Sequence, residues 1–268
     1  MIAQSRRQHR ARQPASVMRN ATVTWVVVGV CAFGFLLELV AGSDAIFARF
    51  GLVPLAIADG EYWRLITSAF LHAGLLHLAF NMLVLIMIGP ALEAILGHLR
   101  FVVLFVLSAI GGAVCSYALS APLSLSVGAS GAIFGLMGGL VVAGRKLSID
   151  ITQVAVLIAI NLVISFLPGM GIDWRAHVGG LVTGAVTGAV LAHSPPGRAV
   201  LLQGVGCAVI LVVMLAVVFW RTDALRSSMR PQPTPVSGYA AANEAVFSAA
   251  EQRSYPQVPP KLGRTTLL

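Results

Sequence analysis

Seven long apolar runs limit what this chain can fold into more than any other feature of its sequence. They cover residues 23–40, 75–96, 101–119, 129–143, 151–167, 176–192 and 200–220. A helix needs about 20 mostly apolar residues to cross a bilayer. Charged residues are only 10% of the chain, whereas a soluble domain has about 25%. We therefore expect an all-α, polytopic membrane helical bundle. The fourth and fifth runs are short, which suits helices that are buried among others or that end below the membrane surface.

The distribution of Lys and Arg predicts a cytoplasmic N-terminus. In that orientation the inner segments carry nine basic residues and the outer loops between spans carry three, in agreement with the positive-inside rule. The tail opposes the rule, because its six basic residues would lie outside; we give the earlier loops more weight because the first span usually dominates. We expect a bacterial plasma membrane. An organellar membrane is the alternative, since an Arg-rich start without acidic residues is also typical of transit peptides.

Changes in composition divide the chain into four parts. Residues 1–20 form a basic arm, 21–194 hold a core of six spans, 195–222 hold a seventh span, and 223–268 form a tail that we expect to be disordered. The formal net charge is +8, but the arm has no interleaved aromatic residues, so a retained cytoplasmic anchor fits better than a nucleic-acid partner. The partners we expect are transmembrane protein substrates and the lipid bilayer. The connection 41–64 mixes apolar and charged residues, and we expect it to lie partly buried at the membrane interface.

Polar residues near the spans are expected to meet at one membrane depth. With a cytoplasmic N-terminus, spans two, four and six all begin in the outer leaflet. Five polar residues lie near those three ends: His72, His77, Asn81, Ser130 and His177. Polar groups at membrane depth are costly unless they are paired, and they mark functional sites by default. Their convergence from three helices predicts a site that opens to the outer side.

Small residues on two of these helices predict that Ser130 and His177 meet. The glycines on the His177 face are Gly180, Gly184 and Gly188, and those near Ser130 are Gly131, Gly135 and Gly138. Glycine lets helix backbones approach closely, here closely enough for a Ser–His hydrogen bond. Such a pair supplies a nucleophile and its base, and backbone N–H groups at the start of span four, with His77 and Asn81, can stabilise an oxyanion. Taken alone, a serine among glycines is also compatible with simple helix packing.

Two further polar residues raise alternatives. Asp173, four residues before His177, could complete a triad, but aspartate directly before a helix is more often its N-cap, which we favour. His72 is a poor candidate for a metal ligand, because zinc needs three protein ligands and the sequence has no His-Glu-x-x-His motif. The three cysteines fall inside apolar runs and suggest neither a disulfide framework nor a metal site. We expect no metal and no cofactor.

Four motifs occur in order along the chain. They are Glu61-Tyr62-Trp63-Arg64, residues 70–81 (Phe-Leu-His-Ala-Gly-Leu-Leu-His-Leu-Ala-Phe-Asn), Gly128-Ala129-Ser130-Gly131 and Ala176-His177-Val178-Gly179-Gly180. Together they resemble the rhomboid intramembrane serine proteases, and the resemblance covers about residues 21–192. It implies the rhomboid-like six-helix core, here followed by a seventh transmembrane helix.

The resemblance assigns catalytic roles to the candidate residues. Ser130 is implied as the nucleophile and His177 as the general base, a dyad without a third acid. His77, Asn81 and the backbone N–H of Ser130 would form the oxyanion hole. Gly128 would shape the loop before the nucleophile.

Six further residues are implied to support the site: His72, Trp63, Arg64, Glu93, Arg100 and Phe134. His72 would be a structural hydrogen-bonding residue, and Phe134 would stack on the catalytic histidine, where many members of the family have Tyr. Trp63 and Arg64 would hold the first outer loop. The remaining two would brace the inner end of span two.

The implied activity is endoproteolysis of transmembrane or membrane-adjacent segments of other membrane proteins, through an acyl-enzyme. The implied substrates have a helix-destabilised stretch and small residues near the cut, because a helical peptide bond is shielded from attack. One alternative is a non-catalytic relative that binds and displaces membrane helices, although such relatives typically lack the serine or the histidine. A small transporter is the other, and it would show internal repeats or paired midplane charges.

Overall fold

The computed structural model describes residues 17–18, 20–148, 150–167, 171–229 and 244. The chain divides into two compact units, residues 1–226 and 227–268. Of the second unit, only residues 227–229 and 244 are described. Most of the predicted basic arm (1–20) and of the predicted disordered tail (223–268) therefore lies outside the described residues.

The described part of the chain is helical almost throughout, and seven of its helices are long. The long helices are α1 (Thr22–Ala41), α5 (Leu75–Leu96), α6 (His98–Leu119), α7 (Ser130–Leu147), α8 (Thr152–Ser165), α9 (Trp174–His193) and α10 (Ala199–Met229). Three short helices follow α1, namely α2 (Ser43–Phe50), α3 (Pro54–Ala58) and α4 (Arg64–Thr67). Each long helix overlaps one predicted apolar run, which confirms the predicted all-α bundle.

Five of the long helices are long and apolar enough to cross a membrane: α1, α5, α6, α9 and α10. The other two match the runs that are short in the sequence. α7 has 18 residues, most of them buried, as expected for a short helix among others. α8 has 14 residues, of which only Ser165 is buried. It therefore lies at the edge of the bundle, and burial does not explain its shortness.

α7 lies between α6 and α9 and touches both through glycine. A Cβ on Gly135 would overlap the side chain of Ser108 on α6 and lie 2.9 Å from the carbonyl oxygen of Gly180 on α9. One turn further on, a Cβ on Gly139 would lie 2.7 Å from a methyl carbon of Leu104. Because a side chain larger than hydrogen has no room at these positions, the glycines place α7 at the centre of the bundle.

The three short helices cover the end of the bundle where α5, α7 and α9 begin, which we call the Ser130 end. The buried guanidinium of Arg64 joins α4 to the end of α2 by donating hydrogen bonds to the carbonyl oxygens of Gly51 (2.7 Å) and Ala48 (2.5 Å), and it also donates to the Glu61 carboxylate (2.6 Å from Nε). The indole of Trp63 donates to a neighbouring backbone carbonyl at 3.2 Å. The connection 41–64 is thus a folded, partly buried segment.

Glu93 joins α5 to α1 at the opposite end of the bundle. Its carboxylate accepts hydrogen bonds from the backbone N–H groups of Val23 (2.9 Å) and Thr24 (2.8 Å) and from the Thr24 hydroxyl (2.7 Å). It therefore satisfies N–H groups in the first turn of α1, which have no partner within the helix. Arg100 makes no such contact with Glu93; its Nε donates to the Gln203 side chain of α10 at 3.1 Å. At this end Glu93 therefore joins α5 to α1, while Arg100 joins α6 to α10.

The last helix is longer than its apolar run. Residue 222, the predicted boundary between the seventh span and the tail, lies inside α10, which continues to Met229. The extension has polar partners at the Ser130 end: Arg221 donates to the Ser120 carbonyl (2.9 Å), and Arg226 donates to the Ala58 carbonyl (2.7 Å). These contacts hold the helix where the hydrophobic signal has already ended.

Candidate active site

Ser130 and His177 meet at the Ser130 end of the bundle. Ser130 is the first residue of α7, and His177 lies in the first turn of α9. The Oγ of Ser130 is 2.7 Å from Nε2 of His177, a normal hydrogen-bond length. The histidine is buried, with 6% of its surface exposed, and the serine is partly exposed. The pair therefore has the geometry of a nucleophile next to its base.

Glycines allow this distance between the two helices. A Cβ on Gly180, one turn after His177, would overlap the carbonyl oxygen of Gly131. One on Gly184 would overlap the carbonyl oxygen of Gly135. The backbones of α7 and α9 are therefore in direct contact, along the faces that the sequence pattern indicates.

Phe134 holds the plane of the histidine ring. Its ring stacks on the imidazole of His177 with a centroid distance of 4.3 Å and an interplanar angle of 14°. Phe134 lies one turn after Ser130 on α7, so one helix provides both the hydroxyl and the surface on which the imidazole rests.

The second nitrogen of His177 also has a partner, which sequence reasoning missed. The Oγ of Ser165, at the end of α8, lies 2.7 Å from Nδ1. The polar residues that the sequence pattern singles out lie near the starts of spans two, four and six. Span five runs the other way, so its last residues also reach the Ser130 end. Polar residues near the ends of the odd-numbered spans are therefore candidates for the same site, and Ser165 is one of them.

His77 lies beside the loop that leads to Ser130. A Cβ on Gly128, whose φ is +135°, would stand 2.9 Å from Nε2 of His77 and 3.7 Å from the Ser130 hydroxyl. The backbone N–H of Ala73 donates to Nδ1 of His77 at 3.2 Å, so the hydrogen of a neutral His77 is on Nε2. An N–H donor therefore faces the space next to the Ser130 hydroxyl. The Gly128 N–H is itself used, since it donates to the Ser68 carbonyl at 2.9 Å.

Asn81 lies one helical turn below His77 and is buried. Its side-chain amide donates to the backbone carbonyl of His77 at 2.8 Å. An amide NH₂ has two hydrogens, so one remains for another acceptor. Asn81 thus supports the helix turn that carries His77 and retains a donor at the same helix face.

His72 is completely buried behind His77, with ring centroids 5.3 Å apart. Its backbone N–H donates to the carboxylate of Glu38 on α1 at 2.9 Å, whereas neither ring nitrogen has a hydrogen-bond partner among the described residues. Burial and, to a smaller extent, the neighbouring His77 lower the pKa of His72 to about 4. His72 therefore makes its hydrogen bonds through its backbone, whose carbonyl also accepts from the N–H of Gly74 at 2.8 Å. Its ring stays neutral near pH 7.

Asp173 caps α9. One carboxylate oxygen accepts from the backbone N–H groups of Arg175 (3.1 Å) and Ala176 (3.4 Å), and the other accepts from the Ser116 hydroxyl. Nδ1 of His177 is bonded to Ser165. Asp173 therefore fits the N-cap interpretation. No group of three or more His, Cys, Asp or Glu residues in the described part of the chain is placed to hold a metal ion.

A cavity of about 20 Å³ lies next to the site. It is lined mostly by small residues, among them Ser68, Gly128, Gly131, Ala132 and Ala176. This volume has room for one water molecule or a methyl-sized group.

Comparison with known proteins finds rhomboid domains and rhomboid proteins. The family model of the rhomboid domain matches residues 59–194. The rhomboid protease GluP of Bacillus subtilis (strain 168) is 35% identical over 198 residues, which cover 69% of this chain and 38% of that protein. RHOMBOID-like protein 4 of Arabidopsis thaliana is 34% identical over 186 residues (61% and 46%), and RHOMBOID-like protein 6, mitochondrial, of the same plant is 40% identical over 147 residues (52% and 47%). The chain thus matches less than half the length of each of these three relatives.

Proposed function

Because this chain belongs to the rhomboid family, we propose that it is an intramembrane serine endopeptidase that cleaves transmembrane or membrane-adjacent segments of other membrane proteins. One observation carries the proposal: the Ser130 hydroxyl lies 2.7 Å from Nε2 of His177, at the end of helices that belong to a multi-pass membrane bundle. The name of the Bacillus subtilis relative, a rhomboid protease, supports the same reaction class.

The proposed reaction proceeds through an acyl-enzyme. Nε2 of His177 takes the hydroxyl proton while the Ser130 oxygen attacks the carbonyl carbon of the substrate peptide bond. When the tetrahedral intermediate collapses, the C–N bond breaks and the imidazolium gives its proton to the leaving amine. A water molecule then attacks the ester, with His177 as base again, and releases the carboxylic acid and the free serine.

Donors for the oxyanion surround the serine. The Nε2–H of His77 faces the space beside the Ser130 hydroxyl. The backbone N–H of Ser130 belongs to the first turn of α7, where N–H groups lack partners within the helix. Asn81 can contribute its second amide hydrogen from the same face of α5. Fixed donors of this kind stabilise the developing charge without reorganisation.

The small cavity supports a preference for small side chains at the cut. A methyl-sized group fits the approximately 20 Å³ beside Gly128 and Gly131, whereas a large side chain does not. A helical peptide bond is shielded by its own turn, so the substrate must also unwind before its carbonyl reaches Ser130. Both features favour substrates with small, helix-destabilising residues.

We further propose that the N-terminus is cytoplasmic and that the site opens to the outer side of a bacterial plasma membrane. The excess of Lys and Arg in the segments at the opposite end supports this orientation. In this arrangement residues 21–194 form the catalytic core and the helix after it is an addition to that core.

Labelling with a fluorophosphonate, which reacts with activated serines, tests the proposal. We expect the purified protein in detergent to be labelled at Ser130, and we expect His177→Ala to lose the labelling. Ser194→Ala is the matched control, because the hydroxyl of Ser194, the residue after α9, bonds only to the Val190 carbonyl of that helix among the described residues. Labelling that persists at full rate in His177→Ala would contradict the dyad. A folded wild type without labelling would favour a helix-binding relative.

A further inference from the structure

One serine outside the sequence motifs contacts the imidazole of His177. Ser165 ends α8, and it is the only buried residue among the fourteen of that helix. Its Oγ lies 2.7 Å from Nδ1 of His177, while the Oγ of Ser130 lies 2.7 Å from Nε2. The imidazole is therefore held between two hydroxyl groups, one on each ring nitrogen.

The hydrogens in these contacts can be assigned by counting. The Oγ of Ser165 is 2.6 Å from the carbonyl oxygen of Asn161, and two oxygens so close need a hydrogen between them. A hydroxyl has one hydrogen, so Ser165 donates it to Asn161 and accepts at its other contact. The hydrogen of the Ser165–His177 bond is then on Nδ1. A neutral imidazole carries one N–H, so Nε2 is left as an acceptor.

We infer that Ser165 is a positioning residue, which holds His177 in the tautomer protonated on Nδ1 and so keeps Nε2 free to take the Ser130 proton. The inference rests on the proposed protease function. In the other tautomer Nε2 would carry a hydrogen and donate it to the Ser130 oxygen. His177 could not then act as the base until that proton had moved.

Phe134 and Ser165 have different tasks at the same ring. The stacked Phe134 fixes the plane of the imidazole, but contact with the ring face does not distinguish one nitrogen from the other. Ser165 does distinguish them, because it presents an acceptor to Nδ1 alone. A neutral acceptor here replaces the carboxylate that orients the histidine in a Ser-His-Asp triad. The bond between Ser165 and His177 also links α8, which otherwise lies at the edge of the bundle, directly to α9.

Nitrogen NMR of the full chain tests the tautomer without any substrate. The protein is labelled with ¹⁵N-histidine in lipid nanodiscs, and the His177 signals are assigned by their loss in His177→Asn. We expect the wild type to show a protonated Nδ1 and an unprotonated Nε2. Ser165→Ala should shift the population toward the Nε2-protonated form and lower kcat about tenfold, as for one buried neutral hydrogen bond. Ser165→Thr keeps the hydroxyl and should restore both readouts.

Ser194→Ala is the matched control, because Ser194 also bonds to the carbonyl four residues before it. It should leave the His177 signals and kcat unchanged. A wild-type His177 protonated on Nε2 would overturn the inference, whether or not Ser165→Ala folds. So would a Ser165→Ala protein with the wild-type tautomer. Failure of the protease proposal looks different: the wild type would show the Nδ1 tautomer and yet not react with the fluorophosphonate at Ser130.

Discussion

Gly184 on α9 lies so close to Gly135 on α7 that a Cβ on Gly184 would overlap the Gly135 carbonyl oxygen. The same relation holds one turn earlier, between Gly180 and Gly131, next to the Ser130–His177 pair. The distance between Ser130 and His177 is thus set by backbone contact between two helices. Substitution of these glycines tests that contact at positions without a reactive side chain.

Gly184→Val should separate α7 from α9. The added carbons have no space, so we expect a loss of about 3 kcal/mol in stability and a loss of most activity, while the protein still inserts into membranes. Thermal unfolding in detergent and cleavage of a reporter measure the two effects. Gly204→Val is the control, because a Cβ on Gly204 of α10 meets nothing within 4 Å. Normal activity of Gly184→Val would contradict close packing as the cause of the dyad geometry.

Gly128→Ala should damage the site more than the fold. Gly128 has a φ of +135°, and a Cβ there would stand 2.8 Å from Cε1 of His77. The new methyl group would push the His77 ring away from its place beside the Ser130 hydroxyl, so we expect kcat to fall at least tenfold. Gly60→Ala is the matched control: its φ is +110°, but its Cβ would lie in open space. Both variants carry backbone strain on the order of 1–3 kcal/mol, because alanine rarely adopts a positive φ. Equal activities would show that the contact with His77 does not contribute to catalysis.

Arg64→Lys should loosen the short helices at the Ser130 end. A lysine cannot reproduce the fork that binds two backbone carbonyls and the Glu61 carboxylate at once. We expect a loss of about 2 kcal/mol in unfolding free energy. Arg49→Lys is the control, since Arg49 is exposed and lies 3.9 Å from Glu61. If the two variants have the same stability, the buried network of Arg64 does not hold this segment.

The stability of the fold should fall as the pH drops from about 6.5 to about 4. His72 lies in the turn before α5 and has a folded-state pKa of about 4, against an ordinary value of 6.5. Between these values the unfolded chain binds a proton that the folded chain does not, so acid favours unfolding. Unfolding midpoints measured from pH 7.5 to 4 should decline less steeply in His72→Gln than in the wild type. His193→Gln, at an exposed position, should keep the wild-type slope. An unchanged slope in His72→Gln would contradict the buried, neutral ring.

Apolar runs predicted the helices because burial in lipid requires continuous hydrophobic sequence. They could not predict the end of α10, where Arg221 and Arg226 bind carbonyls contributed by other segments. Nor could they show that α8 lies at the edge, since an apolar helix looks the same beside lipid or beside protein. Contacts between distant segments leave no periodic signal.

The candidate site was predictable where a pattern linked its residues. Glycine spacing indicated that the helices of Ser130 and His177 pack closely, and the offset of four placed His77 and Asn81 on one face. The pairing of Glu93 with the start of α1 and the contact of Ser165 with His177 depend on how helices are arranged around one another. The direction of span five could place Ser165 at the Ser130 end, but a single serine near the end of an apolar run has no distinguishing neighbour, so the sequence could not show that it contacts His177.

Cleavage by the purified protein tests the central claim most directly. Wild type and Ser130→Ala are reconstituted separately in liposomes with a reporter that has a single membrane span and small residues near the outer surface, with Ser194→Ala as a third sample. We predict that the wild type and Ser194→Ala cut the reporter and that Ser130→Ala does not, because the variant lacks only the attacking hydroxyl. Equal cleavage by wild type and Ser130→Ala would contradict the account, since the nucleophile would then lie elsewhere.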